Sequence, residues 1–265
     1  MKEKESNSIP ENNIIENQNI IKNNLNTNKN NQESIKDIQE LETKIMPDDF
    51  TMFDLSFKII IIGDISVGKS CLTMKATKDY FENYYSPTVG FEFYTFNVKI
   101  DEQNIRLQIW DTCGQEEYRS LIQNFYRNSS LAIMVYSIDN EKSFENLEIW
   151  LNEIKLKGNP DVKIFLIGNK IDLEDNREVP TDKGQQFCKD NKLDLFLETS
   201  AKTGINVEDV FTSAAKILYR EHMNYKDRIS RPDSFIKLPN LANENQEIIE
   251  NEDEEQEKPR KKGCC

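Results

Sequence analysis

An α/β domain with a mostly parallel six-stranded sheet, one antiparallel strand and helices on both faces is the fold the sequence predicts. Three observations predict it. First, Ile59–Ile62 form a contiguous β-branched run that stops at Gly63, as a strand buried on both faces does. Second, from residue 56 to 223 strand-like and helix-like blocks alternate. Third, two of the strand blocks are separated only by "DEQN", a hairpin-length gap that sets one strand antiparallel.

Taken in order, the strands are "FKIIII", "FEFYTFNVKI", "IRLQIWD", "LAIMVYSI", "VKIFLIG" and "LDLFLETS". The helical patterns between and after them cover Ser70–Thr77, Glu116–Phe125, Ser143–Leu156, Asp182–Asn191 and Val207–Met223. Residues 1–55 precede this domain. They are Asn-rich and hold no aromatic residue before Phe50, too little apolar surface to offset ordering entropy, so they are expected to be disordered. Within them "SIKDIQELETKIM" opens on Ser34 and Asp37 and places Ile35, Ile38, Leu41 and Ile45 near one helical face. That is the pattern of a partner-binding helix or of a transient helix in a low-complexity tail. Residues 224–265 turn polar again, with an acidic run, the basic run "KPRKK" and "GCC", and are expected to form a flexible tail.

The chain has 265 residues and a net charge of -13. Its acidic balance argues against binding nucleic acid through phosphate neutralisation. No apolar run is long enough to span a bilayer, no signal-peptide pattern opens the chain, and Lys2 excludes N-myristoylation. Three of the five cysteines, Cys71, Cys113 and Cys188, are scattered, which is no disulfide framework.

The chemistry starts where the first strand ends. Gly63, Gly68, Lys69 and Ser70 match G-x-x-x-x-G-K-[ST], a phosphate-binding loop. Its backbone N–H groups turn toward anionic oxygens, Lys69 supplies a positive charge, and the Ser70 hydroxyl suits a magnesium ion. The candidate contacts are Gly63, Asp64, Ser66, Val67 and Gly68, with Lys69, Ser70 and Cys71 at the start of a helix whose N-terminal end also favours anions. The loop alone fits ATPases, kinases or GTPases. "NKID" discriminates among them: the Asp172 carboxylate can accept from N1–H and the 2-amino group of guanine, donors that adenine lacks. Asn169 and Lys170 flank it, and Lys170 can lay its stem over the ring. Ser200, Ala201 and Lys202 of "TSAK" follow another strand, where a backbone N–H can reach guanine O6. In "WDTCGQEEYRS", Asp111 can hold magnesium through water, Gly114 can turn its N–H to a γ-phosphate, and Gln115 can orient the attacking water. Thr88, in the loop before the second strand, offers a hydroxyl and a carbonyl to the metal and the γ-phosphate.

With "GDISVGKS", "TVGFEF", "WDTCGQE", "GNKID" and "ETSAK" together, the chain resembles small GTPases of the Ras superfamily, over roughly Ser56–Met223. "RLQIWDT", "YRSLIQNFYRNS" and "VYSID" resemble its Rab family, and the pair Cys264–Cys265 is similar to the Rab double-geranylgeranylation site. The resemblance implies the three-layer GTPase fold built on a phosphate loop. It implies GTP and GDP as ligands with Mg2+, hydrolysis of GTP, and a switch role in vesicle traffic on the cytoplasmic face of an intracellular membrane. Its implied partners are an exchange factor, an activating protein, effectors, a GDP-dissociation inhibitor and a prenylation escort. Phe81 falls where the family packs an aromatic edgewise on guanine.

Read from the residues alone, Cys264–Cys265 fit a vicinal disulfide, a metal site short of ligands, or dual lipidation, for which two chains give stable anchoring. The departures from the family are Ile65 and Ser66, where glycine is common; Cys113 in place of alanine; and Glu117 where arginine is common. Bulk at Ile65 and Ser66 crowds a γ-phosphate, so a GTP-binding scaffold with negligible hydrolysis is the competing expectation. No arginine stands in the phosphate loop or at Thr88 to act in cis, which predicts slow intrinsic hydrolysis, raised roughly 10³–10⁵-fold by a partner's arginine.

Overall fold

The structure, a computed structural model, describes residues 41–47, 50–82, 87–114 and 125–230, without the side chains at 228 and 230. Seven strands form one sheet: β1 Thr43–Met46, β2 Leu55–Ile62, β3 Phe91–Ile100, β4 Gln103–Thr112, β5 Leu131–Ser137, β6 Lys163–Asn169 and β7 Leu195–Thr199. Their order is β1-β3-β4-β2-β5-β6-β7. Pairings among β4, β2, β5, β6 and β7 are parallel. Only β3 runs the other way, and it pairs antiparallel with β4 on one side and β1 on the other.

The six expected strands and the single reversed one are present, and the sheet gains a seventh. Thr43–Met46 are a strand, not part of a helix, and this correction has a physical reason. β3 has an open edge, and Thr43, Lys44, Ile45 and Met46 pair with Ile100, Lys99, Val98 and Asn97 along it. The segment expected to be disordered therefore includes an ordered strap. Asn97 Nδ2 donates to the Pro47 carbonyl, Arg106 Nη2 to that of Phe50, and the Arg106 guanidinium stacks on Phe53. Leu41 and Glu42 before β1 are not helical, and residues 34–40 of the expected N-terminal helix lie outside the described residues, as does Glu116–Phe125 save its last residue.

Helices cover both faces: α1 Lys69–Lys78, α2 Glu141–Glu145, α3 Leu147–Lys157, α4 Thr181–Asp190 and α5 Val207–Ser230. The isoleucine run shows why. Ile59 and Ile61 join Leu72 of α1 and Phe211 of α5 in one buried cluster, while Ile60 and Ile62 join Leu147 and Trp150 of α3 in another. A strand whose alternate residues enter two cores must be apolar throughout. The helix expected over Ser143–Leu156 is two helices meeting at Asn146. Asn146 gives α3 no side-chain cap.

The chain divides into two units, residues 1–221 and 222–265; of the second, residues 222–230 are described and are helical. The order in the first unit sends the chain from β2 to the β3–β4 hairpin on one side and later to β5 on the other. Such a reversal opens a crevice at the carboxyl ends of the strands.

Candidate functional site

That crevice is a cavity of about 390 Å³. Five chain segments meet there, each leaving the carboxyl edge of a strand or entering β3 from it. Its walls include Ser66, Gly68, Lys69, Ser70, Cys71, Phe81, Thr88, Gly114, Asn169, Lys170, Asp172, Ala201 and Lys202, all anticipated from the sequence.

The loop after β2 curls around Lys69. Its ammonium donates to the carbonyls of Gly63 at 2.9 Å and Asp64 at 2.7 Å. Burial lowers the Lys69 pKa to about 8, against the upward pull of Asp111 and Asp64. Gly68 sits at φ 94°, and a Cβ there would fall 2.3 Å from Asn169 Nδ2. Only glycine lets the loop approach Asn169 this closely.

Asn169, at the end of β6, fastens three motifs together. Its Nδ2 donates to the Val67 carbonyl at 2.9 Å, and its Oδ1 accepts from Thr199 Oγ1 at 3.1 Å and Ala201 N–H at 3.3 Å. Asp172 sits on the next turn. Its Oδ1 accepts from Ser200 Oγ at 2.6 Å, and Lys202 Nζ lies 3.9 Å from its Oδ2. Ser200 thus orients the carboxylate through its side chain, a role the motif alone did not reveal. Lys170, at φ 70°, points its ammonium to Asp139 at 3.6 Å, which leaves its stem along the cavity wall.

Asp111, Ser70 and Thr88 bring oxygens together. Ser70 Oγ donates to Asp111 Oδ2 and lies 2.7 Å from Thr88 Oγ1. Asp111 is fully buried, and its Oδ1 has no hydrogen-bond partner among the described residues. Burial raises its pKa to about 6, outweighing the Ser70 hydrogen bond and the Lys69 charge. One carboxylate and two hydroxyls are hard oxygen donors, and an orphaned buried carboxylate oxygen is costly unless something cationic answers it. The set fits Mg2+, which commonly takes one or two carboxylates, hydroxyls, water and phosphate oxygens.

Five anticipated residues lie off the cavity wall. Gly63 contributes its carbonyl to Lys69, Val67 packs in the first core, and Asp111 and Ser200 act from behind it. Asp64 departs further: its carboxylate points to α3, where it meets Asn146 and Trp150. Gln115, Cys264 and Cys265 lie outside the described residues. Ile65, Glu82, Pro87, Thr112 and Leu173 also line the cavity without having been singled out as contacts. Thr112 Oγ1 donates to the Ile61 carbonyl at 2.7 Å, tying β4 to β2 beside the loop.

A phosphate loop at the switch point of an α/β sheet, facing an acidic base-recognition turn and a one-carboxylate metal set, defines a P-loop nucleotide-binding domain. Residues 58–220 match the Ras family. The chain belongs to that family, the small GTPases that act as GTP-binding switches.

Proposed function

We infer that this chain is a Rab-like GTPase that cycles between GTP and GDP and switches effector recruitment on a membrane in vesicle traffic. The observation that carries this reading is an aromatic surface beside the Thr88 loop. Phe91, Trp110 and Phe125 pack with centroids 4.5–5.2 Å apart, and Phe93 meets Trp110 edge-on at 5.3 Å. Phe91 is 47% and Phe93 49% exposed. An apolar patch left in water on the strand that follows a nucleotide-sensing loop suits a partner that reads the nucleotide state. The Rab-like stretches "RLQIWDT" and "VYSID" support the subfamily.

In the hydrolytic step, water attacks the γ-phosphorus while the bond to the bridging β–γ oxygen breaks, releasing phosphate and GDP. Lys69 holds its charge at the mouth of the loop, where it meets outer phosphate oxygens. Ser70, Thr88 and Asp111 would hold Mg2+, which would neutralise charge on the phosphates. Asp172, oriented by Ser200, selects guanine. Gln115 orients the water. Thr88 and Gly114 contact the γ-phosphate, and its loss releases their loops and alters the adjoining aromatic surface.

The membrane anchor in this reading is prenylation of Cys264 and Cys265, aided by Lys258, Arg260, Lys261 and Lys262. The test is a tagged protein in its native cell, compared with its Cys264→Ser/Cys265→Ser variant, with mass spectrometry of both. Two prenyl groups and a punctate membrane signal lost in the variant support the reading. Unmodified cysteines with an unchanged distribution overturn the anchor.

A second reading, a scaffold that binds GTP and hardly hydrolyses it, is favoured by Ile65. This side chain is 47% exposed and lines the cavity where a phosphate and a partner's catalytic group would approach. Phosphate release from GTP-loaded protein separates the two: acceleration by a fraction holding an activating protein supports the cycling switch, and none supports the scaffold.

A further inference from the structure

We propose that Asp64 is the positioning residue of the phosphate loop, clamped by Asn146 and Trp150 of the α2–α3 segment. Both oxygens of its carboxylate are engaged. Asn146 Nδ2 donates to Oδ2 at 2.6 Å, and Trp150 Nε1 donates to Oδ1 at 2.8 Å. Trp150 is fully buried, so its indole is itself held by the second core. The carbonyl of the same Asp64 accepts from Lys69 at 2.7 Å. On its far side lies Gly114: a Cβ there would fall 2.4 Å from Asp64 C and Ile65 N. The Asp64 peptide is therefore wedged between α3, the phosphate-binding lysine and the glycine that senses the γ-phosphate.

The helix supplies this clamp from one face. Asn146 and Trp150 are one turn apart, and Glu153, the next residue on that stripe, accepts from Tyr126 Oη at 2.9 Å. One stripe thus holds the loop at Asp64 and the chain downstream of Gly114 at Tyr126. At the break between α2 and α3 the Asn146 side chain is committed to Asp64 instead of capping α3. Guanine recognition by Asp172 and Asn169 lies elsewhere in the cavity. Loosening the clamp therefore weakens phosphate retention and leaves base choice alone.

The inference rests on the phosphate-loop reading, which the wild-type protein tests separately: full-length protein that retained no guanine nucleotide would refute that reading. The experiment measures release of a fluorescent GDP analogue from full-length protein with Mg2+ and excess GDP. Trp150→Phe keeps an aromatic ring, smaller than the indole, and removes the donor. A hydrogen bond to a charged group is lost, so release is expected to quicken by roughly tenfold. The Asp64→Ala/Trp150→Phe pair should release no faster than Asp64→Ala alone, because the two act through one contact. Preference for GDP over ADP should not move. Release within twofold of wild type, or additive effects in the pair, overturns the proposal, as does a lowered unfolding midpoint with unchanged release, the mark of a merely structural tether.

A second measurement needs no clamp variant. Coupling of binding free energies is reciprocal, so if the clamp favours bound GDP, bound GDP must favour the closed clamp. The indole proton of Trp150, told from that of Trp110 with Trp110→Phe, is expected to exchange with solvent more slowly in GDP-loaded protein than after chelation strips the nucleotide. Equal exchange in both states overturns the proposal.

Discussion

At the scale of single residues, two carboxylates decide, in the proposed reading, what this cavity holds, and their surroundings set them apart. Asp172 is half of a recognition pair kept in place by the Ser200 hydroxyl at 2.6 Å. In Asp172→Asn the amide oxygen still accepts from Ser200, but the second atom now donates toward two donors on guanine. GDP affinity is expected to fall roughly 10–100-fold in competition binding, about 1.5–3 kcal/mol. Xanthosine diphosphate, whose C2 carbonyl meets an acceptor in the wild type and a donor in the variant, should instead bind more tightly. Asp111 is tuned by burial instead. Its pKa stands at about 6 in the folded chain against 3.8 as a free side chain. The folded state therefore binds the extra proton between those values, and metal-free protein loses this contribution to stability as pH rises through that window. Mg2+ needs the ionised carboxylate, so its affinity should rise about tenfold per pH unit below about 6 and level off above. Calorimetric titration with Mg2+ across pH 5–8 checks this, and a flat profile would remove Asp111 from the metal set.

At the scale of elements, local pattern told most of the story where an element's neighbours impose a period. β2 was legible because Ile59–Ile62 must feed two cores, and β3 because the strand block "FEFYTFNVKI" ends at a hairpin-length gap, which closes as a two-residue turn at Asp101 and Glu102. β1 was not. Thr43–Met46 carry a helix-compatible spacing, and only the open edge of β3 makes them a strand. The cavity was legible wherever a motif brackets a strand end. The Asp64 clamp was not, because Asn146 and Trp150 lie more than eighty positions away in sequence and leave no periodic trace beyond ordinary helix packing. The strap that begins with β1 carries a prediction of its own. Arg106 donates to Asn97 Oδ1 at 3.0 Å and to the Phe50 carbonyl, and stacks on Phe53 at 4.4 Å. Arg106→Ala is expected to cost about 1–3 kcal/mol in urea unfolding and to make the chain before β2 more sensitive to limited proteolysis. Nucleotide release should stay unchanged, since no atom of Arg106 lines the cavity.

At the scale of the whole sheet-centred unit, the two cores meet only through the strands, and the cavity gathers segments that follow strands serving both. Leu72 of α1 belongs to one core and Trp150, which grips Asp64, to the other. A ligand seated there ties them together, so its binding free energy should appear as resistance of the unit to unfolding. With GDP at 100 times its dissociation constant and Mg2+ present, stabilisation by mass action is about 2.7 kcal/mol. For a unit of this size that is a rise of roughly 5–10 °C in the unfolding midpoint. Chelating the metal should erase most of the rise if Ser70, Thr88 and Asp111 hold Mg2+ against the phosphates. At the same GDP concentration Asp172→Asn, with its affinity lowered 10–100-fold, should retain only about 0.4–1.4 kcal/mol of it. ADP in place of GDP should give no rise in the wild-type protein. A thermal scan with the four combinations of protein and nucleotide measures this, and an equal rise with ADP would show that the Asp172 carboxylate does not choose the base.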